Sequence, residues 1–402
     1  MLADGLGVTT GFGRISKVVA HAFREAGWEV SQIAGFDTAP WCRSEPYTQM
    51  GVKPYFPPMD DVAGINLLDL FVDTEQPDVL WINGDPASVA NWFNRIQQLG
   101  YGHIPTIVYA PVEGRPIAPM LAQAWVHATV PLTYTRYASE ALLEEHNLAV
   151  DYVYHGVDID DFAPLDFNRR ERVRKELAWS DKFVVIYVAR NAERKAQPRL
   201  LKAMRVLKDR GVNDVLLYLH CKSFENHMLR GWDLEWLAKG LGVIDRVQFA
   251  DQVHAVRGES DVSLSKKLSA SDLYFHVAEG EGFGLPILEA MACGVPVGVV
   301  ADEAVQAEVV GDAALFKVAP IHWRTWFNGA QMAELDAEHM ADAILLAKHA
   351  PSDIIAQQRK KGLDRSKQFS WEPLKQMVLA SAEVAISGMV SNDGQPVELY
   401  HG

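Results

Sequence analysis

Cysteine is scarce in this 402-residue sequence, with three residues at Cys42, Cys221 and Cys293. Their odd number and wide spacing argue against a disulfide framework or a zinc site. Cys221 ends one apolar run and Cys293 lies inside another, so both are expected to be buried as small hydrophobes. No run approaches the ~18 apolar residues of a membrane-spanning helix. The opening residues lack a basic-then-apolar leader, and a cytoplasmic location is expected. Positive charge is also in deficit: 38 Lys and Arg against 52 Asp and Glu give a net charge of −14. That balance opposes broad binding to DNA or anionic lipid, while leaving room for a local basic site around a diphosphate. Internal repeats and low-complexity tracts are absent as well.

What is present is a chain with 49% hydrophobic residues, long enough for two or three domains. Short apolar runs read as buried strands at Asp78–Ile82, Thr106–Tyr109, Tyr152–Tyr154, Phe183–Val188, Val215–His220, Val247–Phe249 and Leu273–His276. Helical segments separate them, which is the alternation of a doubly wound parallel sheet. An amphipathic helix is expected over Ile15–Ala26, with Val18, Val19, Ala22 and Phe23 on its apolar side and Gly27 at its end. Further helices are expected at Glu140–His146 behind Ser139 and at Asn168–Leu177. The helix after Lys195 carries Arg199, Lys202, Arg205 and Lys208 on what reads as a solvated face. Pro40–Pro58 reads as a long loop with Trp41, Tyr47, Tyr55 and Phe56. Asp85 before Pro86 fits a helix cap.

The most informative stretch is His276–Val300, HVAEGEGFGLPILEAMACGVPVGVV. A strand end passes through Gly280, Gly282 and Gly284 into a short helix. Pro286 suits the first helical turn and Gly294 the left-handed position that closes it. Backbone N–H groups at such a helix start make a ready anion site. Glu281 and Glu289 frame the turn with seven residues between them, and Glu289 is the only charge from Leu285 to Val300. Glu289 taken alone could equally complement the helix dipole for about 0.3–1 kcal/mol. Arg190 and Lys195 follow the strand at Phe183–Val188, and two cations there suit a diphosphate. Ala110–Pro116, with Glu113 and Arg115, lies at a strand's C-terminal end, where open α/β sheets bind ligands. Gly11 and Gly13 either let backbone approach a phosphate or sugar or simply form a turn. Asp158-x-Asp160 reads as a solvated acidic turn, not a metal site.

EGFGLPILEAMACGVPV resembles the glutamate-x7-glutamate signature of the retaining, nucleotide-sugar-dependent glycosyltransferases of family 4. The resemblance implies an α/β chain of GT-B fold, with two Rossmann-like doubly wound domains facing a central cleft. Residues 1–165 would be the acceptor-side domain and 166–369 the nucleotide-sugar domain, with 370–402 carrying a helix, SWEPLKQMVLASAEVAI, that crosses back to the first. His155-Gly156-Val157-Asp158 resembles the segment that closes the first domain. It implies that Glu281 lies at the donor sugar, Glu289 holds the ribose hydroxyls, and Gly282, Phe283, Gly284 and Leu285 face the sugar and diphosphate. Arg190 and Lys195 match the phosphate-binding pair, and Gly11, Phe12 and Gly13 match a glycine loop on the donor side. Relatives place a strand before that loop; here only Met1–Asp4 precede it, so that strand is expected to be missing or to lie upstream of this start. Many relatives also carry a histidine near 113–115, where this chain has Glu113 and Arg115; His127 stands in helical surroundings and does not take the role. The turn at Ala250–His254 corresponds to a base-covering loop. Together these imply a hexosyl- or related glycosyltransferase, retaining and metal-independent, with no bound cofactor and a nucleotide-diphosphate sugar as donor. The acceptor is open among a small molecule, glycan, lipid, protein or modified DNA, the last two suggested because Thr10-Gly11-Phe12-Gly13-Arg14 resembles phage-encoded members. A GT-B epimerase or phosphorylase, or a non-catalytic nucleotide-sugar-binding or partner subunit, are the alternatives.

Overall fold

The computed structural model describes residues 1–37, 44–225, 231–250, 259–301 and 304–388. The chain divides into two compact units. One comprises Met1–Val112, Pro116–His155 and the stretch from Trp371; the other comprises Gly156–Ser370 with Glu113–Arg115.

The first unit is built on a parallel sheet of β1 (Leu2–Asp4), β2 (Val30–Gly35), β3 (Val52–Tyr55), β4 (Leu80–Asn83), β5 (Thr106–Ala110), β6 (Val130–Thr133) and β7 (Asp151–Tyr152). Its order is β3-β2-β1-β4-β5-β6-β7. β4 and β5 are buried at every position, as parallel strands covered on both faces should be. The strand expected to be missing is therefore present: β1 is only three residues long, yet it lies inside the sheet between β2 and β4, with Leu2 in register with both Ile33 and Ile82. Burial on both sides compensates for its length.

Two other expectations change here. The first helix begins at Gly11, not Ile15, because the Thr10 hydroxyl accepts the Gly13 N–H at 3.0 Å and donates to Asp4 Oδ2 at 2.6 Å. Gly11, Phe12 and Gly13 thus form a helical first turn instead of an open loop. A Cβ on Gly13 would lie 2.2 Å from the Val8 carbonyl oxygen, so the close backbone approach requires glycine there. The long loop expected over Pro40–Pro58 contains a helix, Glu45–Met50, and the edge strand β3. Pro54 is tolerated because an edge strand has one side without a ladder; Trp41 lies outside the described residues. The helix expected from Glu140 starts at Arg136, capped by Thr135, and the Ser139 hydroxyl instead donates to the Val150 carbonyl at 2.6 Å. Asp85 does cap the helix Pro86–Gln98, accepting from Ser88 N. The tail helix Glu372–Ser387 packs on the helix Gly11–Glu25 and on β5 and β6.

The second unit holds β8 (Phe183–Val188), β9 (Val215–His220), β10 (Val247–Phe249), β11 (Leu273–Phe275), β12 (Val297–Val300) and β13 (Ala314–Val318), in the order β10-β9-β8-β11-β12-β13 and all parallel. Strand order reverses between β8 and β11, the switch point where such sheets take ligands. An antiparallel hairpin of β14 (His322–Thr325) and β15 (Gln331–Glu334) follows β13 and had no counterpart in the sequence reading. Cys221 and Cys293 are buried free thiols, and burial pushes them up to about 12 and about 11. Cys42 lies outside the described residues. Among the described residues no helix is long and apolar enough to cross a membrane.

Candidate functional site

The strands β8 and β11 are neighbours, with Tyr274 in register with Ile186, so the loops that leave their C-terminal ends meet. The loop after β8 carries Arg190, Arg194 and Lys195; the loop after β11 carries His276, Glu279 and Glu281. Asn191 pins the first loop: its amide donates to the carbonyls of Lys222 (3.1 Å) and Trp232 (2.8 Å), and its oxygen accepts from Trp232 N. Gln197 donates to the Arg190 carbonyl at 2.7 Å. The second loop turns into the helix Leu285–Ala292 through Gly284, whose φ of 92° needs no Cβ; Pro286 occupies the first turn and Gly294, at φ 68°, follows the end. Gly280 is glycine for contact reasons, since a Cβ there would fall 2.4 Å from Met332 Sδ and 2.8 Å from the Glu113 carbonyl oxygen.

Glu281, with a side chain only 11% exposed, is the centre of the cluster. Its Oε2 accepts from Lys195 Nζ and lies 3.2 Å from His276 Nε2, while its Oε1 lies 3.9 Å from Arg194 Nη1. Arg194 also pairs with Glu113 and donates to the Gly280 carbonyl at 3.2 Å. Burial alone would raise the pKa of Glu281, but Lys195, His276 and Arg194 overcome it and hold the carboxyl well below its ordinary range. Burial, followed by repulsion from Arg194, pulls Lys195 down, and Glu281 opposes the shift. Burial likewise lowers His276.

Behind this cluster lies a second one. Glu279, 2% exposed, accepts from Arg199 Nε at 2.7 Å and from Arg324 Nε at 2.8 Å. Arg199 also reaches Glu334 at 2.7 Å, and the Glu279 carbonyl accepts from Ala333 N at 3.0 Å. The hairpin is thereby tied to the loop that carries Glu281. Arg199 corrects the expectation of a solvated basic helix face: it turns inward to a buried carboxylate, whereas Lys202 on the same helix is exposed.

Of the residues singled out from sequence, Glu281 and Lys195 are in direct contact. Glu289 is 2% exposed in the same loop-helix unit, with Gly282, Phe283, Gly284 and Leu285 buried around the turn. The Arg190 side chain is exposed and has no hydrogen-bond or ion-pair partner among the described residues. Gly11, Phe12 and Gly13 belong to the first unit. Glu113 and Arg115 group with the second unit, Glu113 through Arg194 and Arg115 through its carbonyl, which accepts from Gln331 N at 2.7 Å. His127 caps the end of the helix Pro119–Val126. Asp158 Oδ1 accepts the N–H groups of Asp160 and Asp161 at 3.0 and 3.3 Å, a local turn. Ala250 donates to the Leu219 carbonyl, and the remainder of the turn through His254 lies outside the described residues. Among the described residues no group of three or more His, Cys, Asp or Glu is placed to hold a metal.

Sequence reasoning missed Arg194, His276 and Glu279. Arg194 stands beside Lys195, but spacing cannot say which cation of Arg190, Arg194 and Lys195 turns toward a given carboxylate. His276 read as the end of a strand. Glu279 was overlooked although it stands two residues before Glu281, and its arginine partners are distant in sequence.

Residues 169–361 match the family described as Glycosyl transferases group 1. D-inositol 3-phosphate glycosyltransferase of Mycolicibacterium paratuberculosis is 31% identical over 239 residues, covering 59% of this chain and 48% of that protein. GDP-mannose-dependent alpha-(1-6)-phosphatidylinositol monomannoside mannosyltransferase of Mycolicibacterium smegmatis is 31% identical over 155 residues, 37% of each chain. The chain thus spans about half the length of the D-inositol 3-phosphate glycosyltransferases it matches. Among solved structures, Anabaena HepE in complex with UDP and glucose superposes with a TM-score of 0.72 at 16% identity, covering 94% of this chain and 98% of that one. Sucrose-phosphate synthase from Thermosynechococcus elongatus gives 0.67 at 17% identity, covering 94% and 93%. These likenesses show the fold: two Rossmann-like units of the GT-B type.

Proposed function

We propose, from the match of residues 169–361 to the glycosyl transferases group 1 family, that this chain is a retaining, metal-independent glycosyltransferase moving a sugar from a nucleoside-diphosphate donor to a hydroxyl acceptor. The observation that carries the reading is the meeting, at the β8/β11 switch point, of Lys195, Arg194 and Glu281 beside the start of the helix Leu285–Ala292. Cations and the backbone N–H groups of a helix start there suit a diphosphate, and a carboxylate among them suits sugar hydroxyls. The HepE neighbour is described with UDP and glucose bound, and the mannosyltransferase relative is named for its dependence on GDP-mannose, which favours a donor of this class.

In this reading the second unit holds the donor, to which Gly11, Phe12 and Gly13 of the first also contribute, and the first unit admits the acceptor. The bond between the anomeric carbon and the phosphate oxygen breaks, and negative charge develops on that oxygen. Arg190, Lys195 and the N–H groups after Glu281 stabilise it, an electrostatic effect of donors already in place. The acceptor oxygen bonds to the anomeric carbon on the same face, and its proton passes to the departing phosphate. Glu281 positions the sugar and stabilises the oxocarbenium-like state without acting as a nucleophile. Glu289 holds the ribose.

Thermal unfolding against UDP, GDP, ADP and TDP, each beside Glu289→Ala, tests the reading. A nucleotide at a hundred times its dissociation constant should stabilise the protein by about 2.7 kcal/mol. A shift with one nucleotide that vanishes in the variant supports the site and names the base. The absence of a shift with all four, in a protein that still unfolds cooperatively, removes it.

A further inference from the structure

The two oxygens of Glu281 are not equivalent. Oε2 takes both Lys195 Nζ and His276 Nε2, whereas among the described residues the nearest cation to Oε1 is Arg194 Nη1 at 3.9 Å, beyond hydrogen-bond reach. What holds Oε2 depends on which ring nitrogen of His276 carries the proton.

The surroundings of His276 answer this from both ends. Its Nδ1 lies 2.9 Å from the Tyr274 hydroxyl, whose other neighbour, the Val188 carbonyl, is at 3.5 Å. A hydroxyl has one proton, and the shorter contact takes it. Nδ1 therefore accepts, and the proton of a neutral ring stands on Nε2. There it faces Glu281, whose ionised carboxylate can only accept. The opposite tautomer would set a lone pair against that carboxylate and leave the Tyr274 hydroxyl its longer partner. Burial disfavours the doubly protonated ring. Tyr187 closes the arrangement: its ring meets His276 edge-on at 5.5 Å between centroids, and its own hydroxyl has no partner among the described residues, so it offers His276 no competing bond.

We propose that His276, its tautomer set by Tyr274, is a positioning residue that anchors Oε2 of Glu281 and leaves Oε1 as the oxygen that accepts a hydroxyl of the bound donor sugar. The anchoring is a property of this chain's residues; the role of Oε1 rests on the glycosyltransferase reading above.

Two measurements separate these parts. Nitrogen NMR of the full chain with 15N-labelled histidine, His276 assigned by its loss in His276→Gln, reports the tautomer directly. A neutral ring protonated on Nε2, turning to a tautomer mixture in Tyr274→Phe, is expected. A ring protonated on Nδ1, or a wild-type tautomer unaffected by Tyr274→Phe, overturns the lock. Calorimetry with UDP and UDP-glucose, and with GDP and GDP-mannose, reports the consequence. His276→Leu should weaken the sugar nucleotide about tenfold while leaving the bare nucleotide unchanged, and His276→Gln, which keeps an N–H donor, should recover part of the loss. Equal weakening of both ligands, or no recovery with glutamine, overturns the Oε1 assignment. Failure of every nucleotide to bind the wild-type chain removes the glycosyltransferase reading and the Oε1 assignment with it, while the NMR result still decides the lock.

Discussion

At the scale of single residues, His155 and Gly280 show how much depends on one group. His155 is fully buried in the first unit, 2.8 Å from the Tyr109 hydroxyl and stacked on Trp371 at 6.0 Å, and burial drops its pKa from 6.5 to about 3. The unfolded chain therefore binds a proton that the folded chain refuses. Stability is complete above pH 6.5 and is lost as pH falls toward 3, with a slope of about 1.4 kcal/mol per pH unit from this group. Urea titrations from pH 7 to pH 4 should show that slope, and His155→Gln should reduce it; an unchanged slope in the variant refutes the assignment. At Gly280 the Cβ of an alanine would overlap Met332 Sδ and the Glu113 carbonyl oxygen. Gly280→Ala should cost on the order of 1–3 kcal/mol in the same titration at pH 7. A variant as stable as wild type would mean the neighbours move freely. Local relations of this kind were legible where a motif is contiguous: the spacing of Glu281, Gly284, Pro286, Glu289 and Gly294 announced both the turn and the helix. Their partners were not legible, because Lys195 and Glu281 meet across 86 positions of chain and only the sheet order brings them together.

At the scale of elements, the hairpin β14–β15 matters through what it holds. Arg324 on β14 and Arg199 on the helix Gln197–Asp209 both end on Glu279, so removing one leaves a buried carboxylate half satisfied. Arg199→Leu should destabilise by about 3 kcal/mol, the scale of a broken buried pair. Lys202→Ala, on the exposed side of the same helix, should stay within about 0.5 kcal/mol. Equal costs for the two would return Arg199 to the solvated face that its spacing suggested. That face was misread because Arg199 and Lys202 are alike in charge and both fall on the side opposite Leu200 and Met204; only the acid across from Arg199 distinguishes them. β8, β9, β10 and β11 were read almost to the residue, since buried parallel strands are unbroken apolar runs bounded by polar loops, whereas β12 and β13 were not picked out. β1 was not, because three residues carry no period. β3 was not, because Pro54 argues against a strand everywhere except at an edge.

At the scale of the whole molecule, the second unit carries reporters of its own. Cys221 and Cys293 both lie buried in the second unit, and burial keeps both thiols protonated and inert. In a Cys42→Ser background, thiol labelling should follow unfolding of that unit. A nucleotide at a hundred times its dissociation constant should slow both labelling rates by about a hundredfold. Labelling indifferent to a nucleotide that demonstrably binds would place the ligand elsewhere. The first unit is assembled differently, since its helix Glu372–Ser387 packs on the helix Gly11–Glu25 only after the chain has passed through the second unit. Translation therefore finishes the two in inverse order. The nascent second unit has every strand of its parallel sheet once Val318 has left the ribosome, while the unit begun first stays open until its last helix emerges, and a pause near position 370 would expose the first sheet to chaperones and not the second.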